Sequence, residues 1–174
     1  MKNNIYVQDN FFEKEFFKKL QKELYSLEFT SRYEEFKNLS KHDNKNNTYQ
    51  RNYHHVTLEK NTPVVLETLK NIKKNFNYSV KESTSYYLLS FPNTPPIPHN
   101  DASQSNCLIY LLGDKLINNG TGFYEKLNDE YQLHTHIGFK ENRAIFFDSK
   151  IFHSPLQWAG NATPRYVMAN FLNT

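Results

Sequence analysis

Short apolar segments recur at regular spacing in the second half of the chain, and they constrain the fold more than any other feature. Each is four to nine residues long and is bounded by turn residues such as Asn118-Asn119-Gly120. Many short strands at such spacing are typical of a β-sandwich or β-barrel. The predicted strands cover residues 86–91, 106–112, 122–125, 131–139, 143–147, 152–158 and 165–172.

Two amphipathic helices are predicted before this β-rich region. Apolar residues at helical spacing indicate a first helix over about residues 10–27, which Asp9 or Asn10 can cap. The second helix covers about residues 63–76 and has proline at its first position, where the missing N–H has no cost. The polar, Asn-rich stretch 40–51 between them is predicted as a mobile loop.

Two helices followed by about eight strands favour a jelly roll supported by N-terminal helices. The predicted fold class is therefore mainly β, a cupin-like double-stranded β-helix. A length of 174 residues is that of one domain. We expect a single domain over 1–174, with helical support and a loop over about 1–78 and the jelly-roll core over about 79–174.

Aromatic residues compensate for a low aliphatic content. The mean hydropathy of −0.77 is low for a folded protein, but aromatic residues make up 16% of the sequence. Each ring buries roughly 150–250 Å², so rings can supply core area that aliphatic residues do not. Disordered chains are poor in aromatic residues, and the composition therefore indicates a folded protein.

Charge and cysteine content restrict the partners and the compartment. The formal net charge is +3, without the concentrated basic face typical of proteins that bind nucleic acid. Cys107 is the only cysteine, so no internal disulfide can form. The sequence has no apolar run of 18 residues and no signal-like N-terminus. We expect a cytoplasmic protein that associates with neither nucleic acid nor membranes.

The segment His99-Asn100-Asp101 is the most informative local sequence. Because one residue separates them, the side chains of His99 and Asp101 leave the same face of a strand and can bind one metal ion. His153, near the start of a later predicted strand, is a suitable third ligand. Two histidines and one carboxylate leave three positions open on an octahedral ion, the facial triad typical of non-haem Fe(II) oxygenases.

Arg165 opens the last predicted strand, twelve residues after His153. A guanidinium inside a barrel needs an anion, and its planar fork matches a carboxylate bidentately. We therefore interpret Arg165 as the group that holds the far carboxylate of a keto-diacid. The alternative is an ion pair at the rim of the barrel.

Over roughly residues 85–173 the sequence resembles the 2-oxoglutarate- and Fe(II)-dependent dioxygenases, especially their prolyl-hydroxylase-like branch. The His99-x-Asp101 pair resembles the proximal metal motif of this family, and His153 resembles its distal histidine. Arg165, followed by tyrosine, is similar to the carboxylate-binding arginine. The segments 107–111, 119–124 and 142–148 resemble the family's strands between these motifs.

This resemblance implies a 2-oxoglutarate-dependent dioxygenase, an oxidoreductase that also consumes O₂. It assigns Fe(II) to His99, Asp101 and His153, and the co-substrate carboxylate to Arg165 and Tyr110. The implied reaction is hydroxylation of an amino acid, a peptide or another small molecule, coupled to decarboxylation of 2-oxoglutarate to succinate.

Two alternatives remain open from the sequence. His134 and His136, with Glu141 five residues later, are similar to the first metal motif of cupins, which share the jelly-roll architecture. These three residues would form a cupin-type metal site. The second alternative is a non-catalytic jelly-roll binding module.

The adjacent His54 and His55 point in opposite directions on a strand, so we do not expect them to share a metal.

Overall fold

The computed structural model describes residues 4–31, 53–91, 97–116, 118–157 and 163–174. The predicted loop over residues 40–51 lies outside these ranges. In chain order the elements are β1 (Ile5–Gln8), α1 (Lys14–Leu24), β2 (Thr30–Ser31), β3 (Tyr53–Leu58), α2 (Pro63–Phe76), β4 (Glu82–Ser90), β5 (Ser105–Leu112), β6 (Asn119–Leu127), β7 (Glu130–Gly138), β8 (Ala144–Asp148), β9 (Phe152–Gln157) and β10 (Arg165–Asn173).

Two antiparallel sheets make up the β-rich part of the molecule. The large sheet has the strand order β1-β8-β5-β10-β4-β3-β2, and the small sheet has the order β7-β6-β9. An isolated bridge between His99 and His153 continues the small sheet beyond β9. From β4 to β10 the chain crosses repeatedly between the two sheets, and this connectivity confirms the predicted double-stranded β-helix.

One face of the large sheet packs against the two helices. Cys107, Ile109 and Leu111 on β5 point to this side, since alternate residues of a strand share a face. They join a buried cluster that contains the apolar faces of α1 and α2. The helical members of this cluster include Phe17, Leu20, Leu24, Val64, Val65 and Ile72.

The opposite face of the large sheet faces the small sheet. Tyr110 and Val167 from the large sheet lie in a second buried cluster with Phe123 from the small sheet. Phe123 packs edge-on against Phe147, with the ring centroids 5.0 Å apart. Because β5 is covered on both faces, its sequence is a continuous apolar run rather than an alternating one. Aromatic rings thus supply much of the interior, as the composition indicated.

The N-terminal part contributes more β-structure than the sequence predicted. β1 pairs with β8, while β2 and β3 extend the other edge of the large sheet. The first helix begins at Lys14, not near residue 10, because Asn10 adopts a left-handed backbone conformation with φ of 54°. Asp9 does not cap the helix, since its carboxylate accepts hydrogen bonds from Arg143 Nε at 2.6 Å and Lys140 Nζ at 2.7 Å.

The remaining elements follow the sequence prediction closely. The second helix covers Pro63–Phe76 and ends at Asn77, which has a left-handed φ of 52°. All seven predicted strands are present, with their ends shifted by up to four residues. Neither helix in the described part of the chain is long and apolar enough to cross a membrane.

Candidate metal centre and its cavity

The three predicted metal ligands converge on one point. Backbone hydrogen bonds join His99 and His153 in both directions, with N···O distances of 3.1 and 2.8 Å. Their imidazole centroids lie 4.6 Å apart, and Nε2 of His153 lies 3.3 Å from Oδ2 of Asp101. One ligand atom from each of the three residues lies within 4.8 Å of the other two.

Backbone carbonyls orient both imidazoles. Nδ1 of His99 lies 2.9 Å from the carbonyl oxygen of Ile97, and Nδ1 of His153 lies 3.0 Å from that of Ile151. A carbonyl oxygen can only accept, so in the neutral ring Nδ1 carries the proton and Nε2 keeps its lone pair. Metal-binding histidines commonly donate their second ring N–H in this way. Both rings therefore have the tautomer that a metal ion requires.

Asp101 is held as an anion by its neighbours. Its Oδ2 accepts a hydrogen bond from Nδ2 of Asn106 at 2.7 Å, and Oδ1 of Asn106 in turn accepts one from Ser103 at 2.8 Å. Burial raises the pKa of the Asp101 carboxyl, but the hydrogen bond and charge of His153 and the charge of His99, when these rings are protonated in the metal-free site, together with the Asn106 amide leave that pKa below its ordinary value. The carboxylate is thus ionised and oriented before any metal binds.

A cavity of about 440 Å³ opens beside the three ligands and extends to Arg165. Its walls include the inner faces of β4 and β10, with Tyr86, Leu88 and Val167 among the lining residues. This volume is in the range typical of small-molecule sites. The metal triad and the buried arginine therefore belong to one site.

Arg165 is a buried cation without a carboxylate partner in the described part of the chain. Only 5% of the residue is exposed. Nη1 donates a hydrogen bond to the carbonyl oxygen of Gly120, while Nε has no hydrogen-bond partner among the described residues. Burial lowers the pKa of the guanidinium, which nevertheless stays charged in proteins. A buried, incompletely paired cation facing a cavity has the charge and the free donor that an anion would need.

Tyr110, the second predicted carboxylate ligand, lies behind the cavity wall. The residue is fully buried, and its hydroxyl donates to Oγ1 of Thr121 at 2.7 Å and lies 3.1 Å from the carbonyl oxygen of Ile137. The Tyr110 ring stacks on Phe139, with the centroids 5.0 Å apart, and the Arg165 guanidinium lies 5.9 Å from its centroid. Thr121 lines the cavity, whereas Tyr110 does not.

Sequence reasoning missed Asn106 and Thr121. A usable signal was present, because alternation along β5 places Asn106 on the same face as Tyr110, and alternation along β6 places Thr121 on the same face as Phe123. What the sequence did not supply was the register that brings Asn106 opposite Phe171 and Thr121 opposite Ile137.

The cupin-type alternative does not assemble. His99, Asp101 and His153 form the one candidate metal-binding group among the described residues, so His134, His136 and Glu141 do not form another there. His134 is largely exposed and lies 3.7 Å from a carboxylate oxygen of the neighbouring strand β6. His136 lies over Gly120, and burial followed by the charge of Arg165 lowers the pKa of its imidazole.

The sequence matches no protein-family model and no curated protein. Solved structures, however, resemble the fold over nearly the whole chain. A prolyl-4-hydroxylase from Pseudomonas putida gives a TM-score of 0.61 at 11% identity, covering 99% of this chain and 94% of its own. A prolyl hydroxylase from Trichoplax adhaerens, in complex with a hypoxia inducible factor peptide fragment, gives 0.63 at 14% identity, covering 98% and 84%. HygX from Streptomyces hygroscopicus, with nickel, 2-oxoglutarate and hygromycin B bound, gives 0.65 at 10% identity, covering 99% and 84%.

Sequence identities this low establish similarity of fold, and the activity has to be argued from the site itself. The topology, the helices behind the large sheet and the converging triad agree with the family resemblance found in the sequence. The chain has the double-stranded β-helix fold that is found in these solved prolyl hydroxylases and in HygX.

Proposed function

We propose that the protein is a 2-oxoglutarate- and Fe(II)-dependent oxygenase that hydroxylates an amino acid, a peptide or another small molecule. The observation that carries this proposal is the shared cavity. His99, Asp101 and His153 lie along one part of it and the buried cation Arg165 lies along another. A ligand that chelates a metal at one end and carries an anion at the other matches this arrangement.

The donor set fits the metal. Two imidazoles and one carboxylate suit Fe(II) and leave positions for a chelating 2-oxo acid and O₂. With both bound, Fe(II) supplies the redox chemistry by which O₂ oxidises the substrate while 2-oxoglutarate loses CO₂ to become succinate. The incompletely paired guanidinium of Arg165 fits the distal carboxylate of that co-substrate, since an arginine fork binds a carboxylate bidentately.

The protein's own residues orient and shield this site. Ile97 and Ile151 fix the histidine tautomers through their carbonyl groups, and Asn106 holds the carboxylate of Asp101. Leu108 and Val167 line the cavity with apolar surface, which excludes water from the reacting groups.

The substrate class is supported by the similar structures. The Trichoplax adhaerens enzyme is in complex with a peptide fragment, and HygX has hygromycin B bound. Hydroxylation of a peptide or small molecule, rather than of a duplex nucleic acid, also agrees with the net charge of only +3.

The test is anaerobic addition of Fe(II) and 2-oxoglutarate, which should produce the visible charge-transfer band of the metal chelate. Admission of O₂ should then release succinate. His153→Ala should abolish the band without unfolding the protein, while His134→Ala, a matched change at an exposed histidine, should leave it intact. A folded wild-type protein with neither band nor succinate would instead favour a non-catalytic binding module, and loss of metal binding in His134→Ala would favour the cupin-type site.

A further inference from the structure

We infer that the open end of the cavity receives an uncharged side chain of a peptide substrate, and that Asn173 selects this substrate by donating a hydrogen bond to one of its carbonyl oxygens. This inference rests on the proposed function of the site. It narrows the substrate class to peptides and adds Asn173 as a specificity-determining residue.

The first observation is that the cavity is closed at one end and open at the other. Five residues at alternate positions of β10, from Arg165 to Asn173, line it along the whole strand. At the first end Arg165 and Thr121 are buried. At the second end Thr84 and Ala102 are exposed and Asn173 is half-buried. Since the co-substrate would fill the closed end, the substrate has to reach the metal ligands from the open end.

The second observation is the short distance between the metal ligands and the open end. Asn106, which donates to Asp101, pairs with Phe171 on β10. Asp101 therefore lies near the level of Phe171. Asn173 follows two residues later on the same face, about 7 Å further along the strand. A substrate that extends from the metal ligands toward the open end passes the Asn173 side chain.

The third observation is that the Asn173 amide has a fixed orientation. Its Oδ1 accepts a hydrogen bond from the backbone N–H of Gln104 at 3.1 Å. A backbone N–H can only donate, so this contact decides which amide atom is the oxygen. The hydrogen bonds of this side chain to described residues consist of that one. Nδ2 is therefore an oriented donor at the open end, and it suits a neutral acceptor such as a peptide carbonyl oxygen.

The fourth observation is the chemistry of the surrounding walls. The rings of Tyr86 and Phe171 pack edge to face, with their centroids 5.9 Å apart, and supply apolar surface. Burial of an unpaired charge is far more costly than burial of an aliphatic group, so these walls favour an uncharged side chain. Apart from the metal ligands, the described residues that line the open end are all uncharged, namely Thr84, Tyr86, Ala102, Ser103, Phe171 and Asn173.

Lys150 is the competing anchor, and it would favour a free amino acid. Its exposed ammonium donates to the backbone carbonyl oxygen of Asp101 at 3.1 Å, and a cation at this position suits a free carboxylate. Asn173 is favoured because it lines the cavity, whereas Lys150 does not. A free amino acid also carries an ammonium group, and the described lining residues offer it only the carboxylate of Asp101, a proposed metal ligand.

The test is saturation-transfer NMR on the protein loaded with Ni(II) and 2-oxoglutarate, which measures binding without turnover. The probes are terminally blocked glycine–Xaa–glycine tripeptides, in which Xaa is proline, leucine, lysine or glutamate, together with free leucine. We expect the proline peptide, the leucine peptide or both to bind at least about 10-fold more tightly than the two charged peptides and free leucine.

Asn173→Asp is the main variant, because aspartate keeps an oxygen for the Gln104 N–H and replaces the Nδ2 donor by an anionic acceptor. It should weaken binding of the uncharged peptides about 10- to 100-fold and strengthen binding of the lysine peptide. Its anaerobic Fe(II)–2-oxoglutarate band should equal that of the wild type. Asn128→Asp is the matched control, since it makes the same change at an exposed turn residue between β6 and β7. This control and Lys150→Gln should leave the peptide affinities unchanged.

The inference is wrong if Asn173→Asp binds the uncharged peptides like wild type, or if the wild type prefers a charged peptide or binds no probe. A preference for free leucine that Lys150→Gln removes would assign the anchor to Lys150 instead. Loss of the Fe(II)–2-oxoglutarate band in Asn173→Asp would also overturn it, because the residue would then support the metal site. Failure of the proposed function looks different, since the wild-type protein would then give no band whether or not a peptide binds.

Discussion

Replacement of Asn106 by alanine should show whether this residue supports metal binding in addition to stabilising the fold. The Asn106 side chain donates to Asp101 Oδ2 at 2.7 Å and accepts from Ser103 at 2.8 Å, and only 1% of the residue is exposed. The alanine variant leaves the half-buried carboxylate of Asp101 without its amide donor and the buried hydroxyl of Ser103 without its acceptor.

The expected magnitude follows from these two contacts. A hydrogen bond to a charged group contributes about 1.5–3 kcal/mol and a neutral one about 1 kcal/mol. We expect the free energy of unfolding of the metal-free protein to fall by about 2–3 kcal/mol. Groups that orient a metal ligand change metal affinity by about 10- to 100-fold, so Ni(II), a redox-stable substitute for Fe(II), should bind that much more weakly.

The assay is calorimetric titration with Ni(II), run beside urea denaturation of the metal-free protein. Asn170→Ala is the matched control, because Asn170 is as deeply buried, accepts from Ser85 at 2.8 Å and donates to the Cys107 carbonyl at 2.9 Å. It should lose comparable stability and keep its Ni(II) affinity. Unchanged Ni(II) binding in Asn106→Ala, or equal loss in both variants, would refute the role given to Asn106.

Three further predictions concern the fold. Asp9, whose pKa is lowered to about 2 chiefly by the hydrogen bond from Arg143, should stabilise the protein by about 1 kcal/mol after allowance for its partial exposure. This pKa lies below the value of 3.8 in the unfolded chain. The difference in unfolding free energy between wild type and Asp9→Asn should therefore be full above about pH 4 and should vanish toward pH 2. A difference that does not depend on pH would contradict the ion pair. Gly120→Ala should lower the free energy of unfolding by about 3 kcal/mol, since a Cβ would overlap a carbonyl oxygen of β7, whereas Gly138→Ala has open space and should be neutral. Burial raises the pKa of the Cys107 thiol, so a thiol reagent should modify it only in denaturant, and rapid reaction of the native protein would show that β5 is less protected than described.

Local sequence signals were sufficient for most of the fold. The seven strands of the core carry enough apolar residues and bounding turns to be recognised singly, and α2 has proline at its start. The start of α1 could not be predicted in the same way. Asp9 is a good capping residue, but tertiary contacts to Arg143 and Lys140 take its carboxylate, and such contacts between distant segments leave no local pattern.

The strands β1, β2 and β3 were missed for a related reason. β1 and β2 are the two edge strands of the large sheet, and β3 lies next to β2, which is only two residues long. Edge strands are partly exposed and short, so they lack the apolar run that marks a covered strand.

The residues of the candidate site also fall into two groups, those that local sequence identifies and those that depend on tertiary contacts. His99 and Asp101 are recognisable because a spacing of two fixes their common face, and the third ligand follows from the requirement for a facial triad. The partners of these residues depend on register instead. Asn106 reaches Asp101 and Thr121 meets Tyr110 only in the observed strand pairing, which a single sequence does not encode locally.

β5 shows why the core and the site cannot vary independently in this protein. Cys107, Ile109 and Leu111 pack against the helices, while the residues between them face the small sheet and the cavity. On that inner face Asn106 donates to the proposed metal ligand Asp101, and the Tyr110 hydroxyl is hydrogen-bonded to Thr121. A slip of one residue in the pairing of β5 would exchange the two faces, placing Asn106 and the Tyr110 hydroxyl against the apolar helices. The apolar contacts that hold β5 in register are therefore the same contacts that place Asn106 beside Asp101 and the Tyr110 hydroxyl beside Thr121, and a stable core also fixes the geometry of the site.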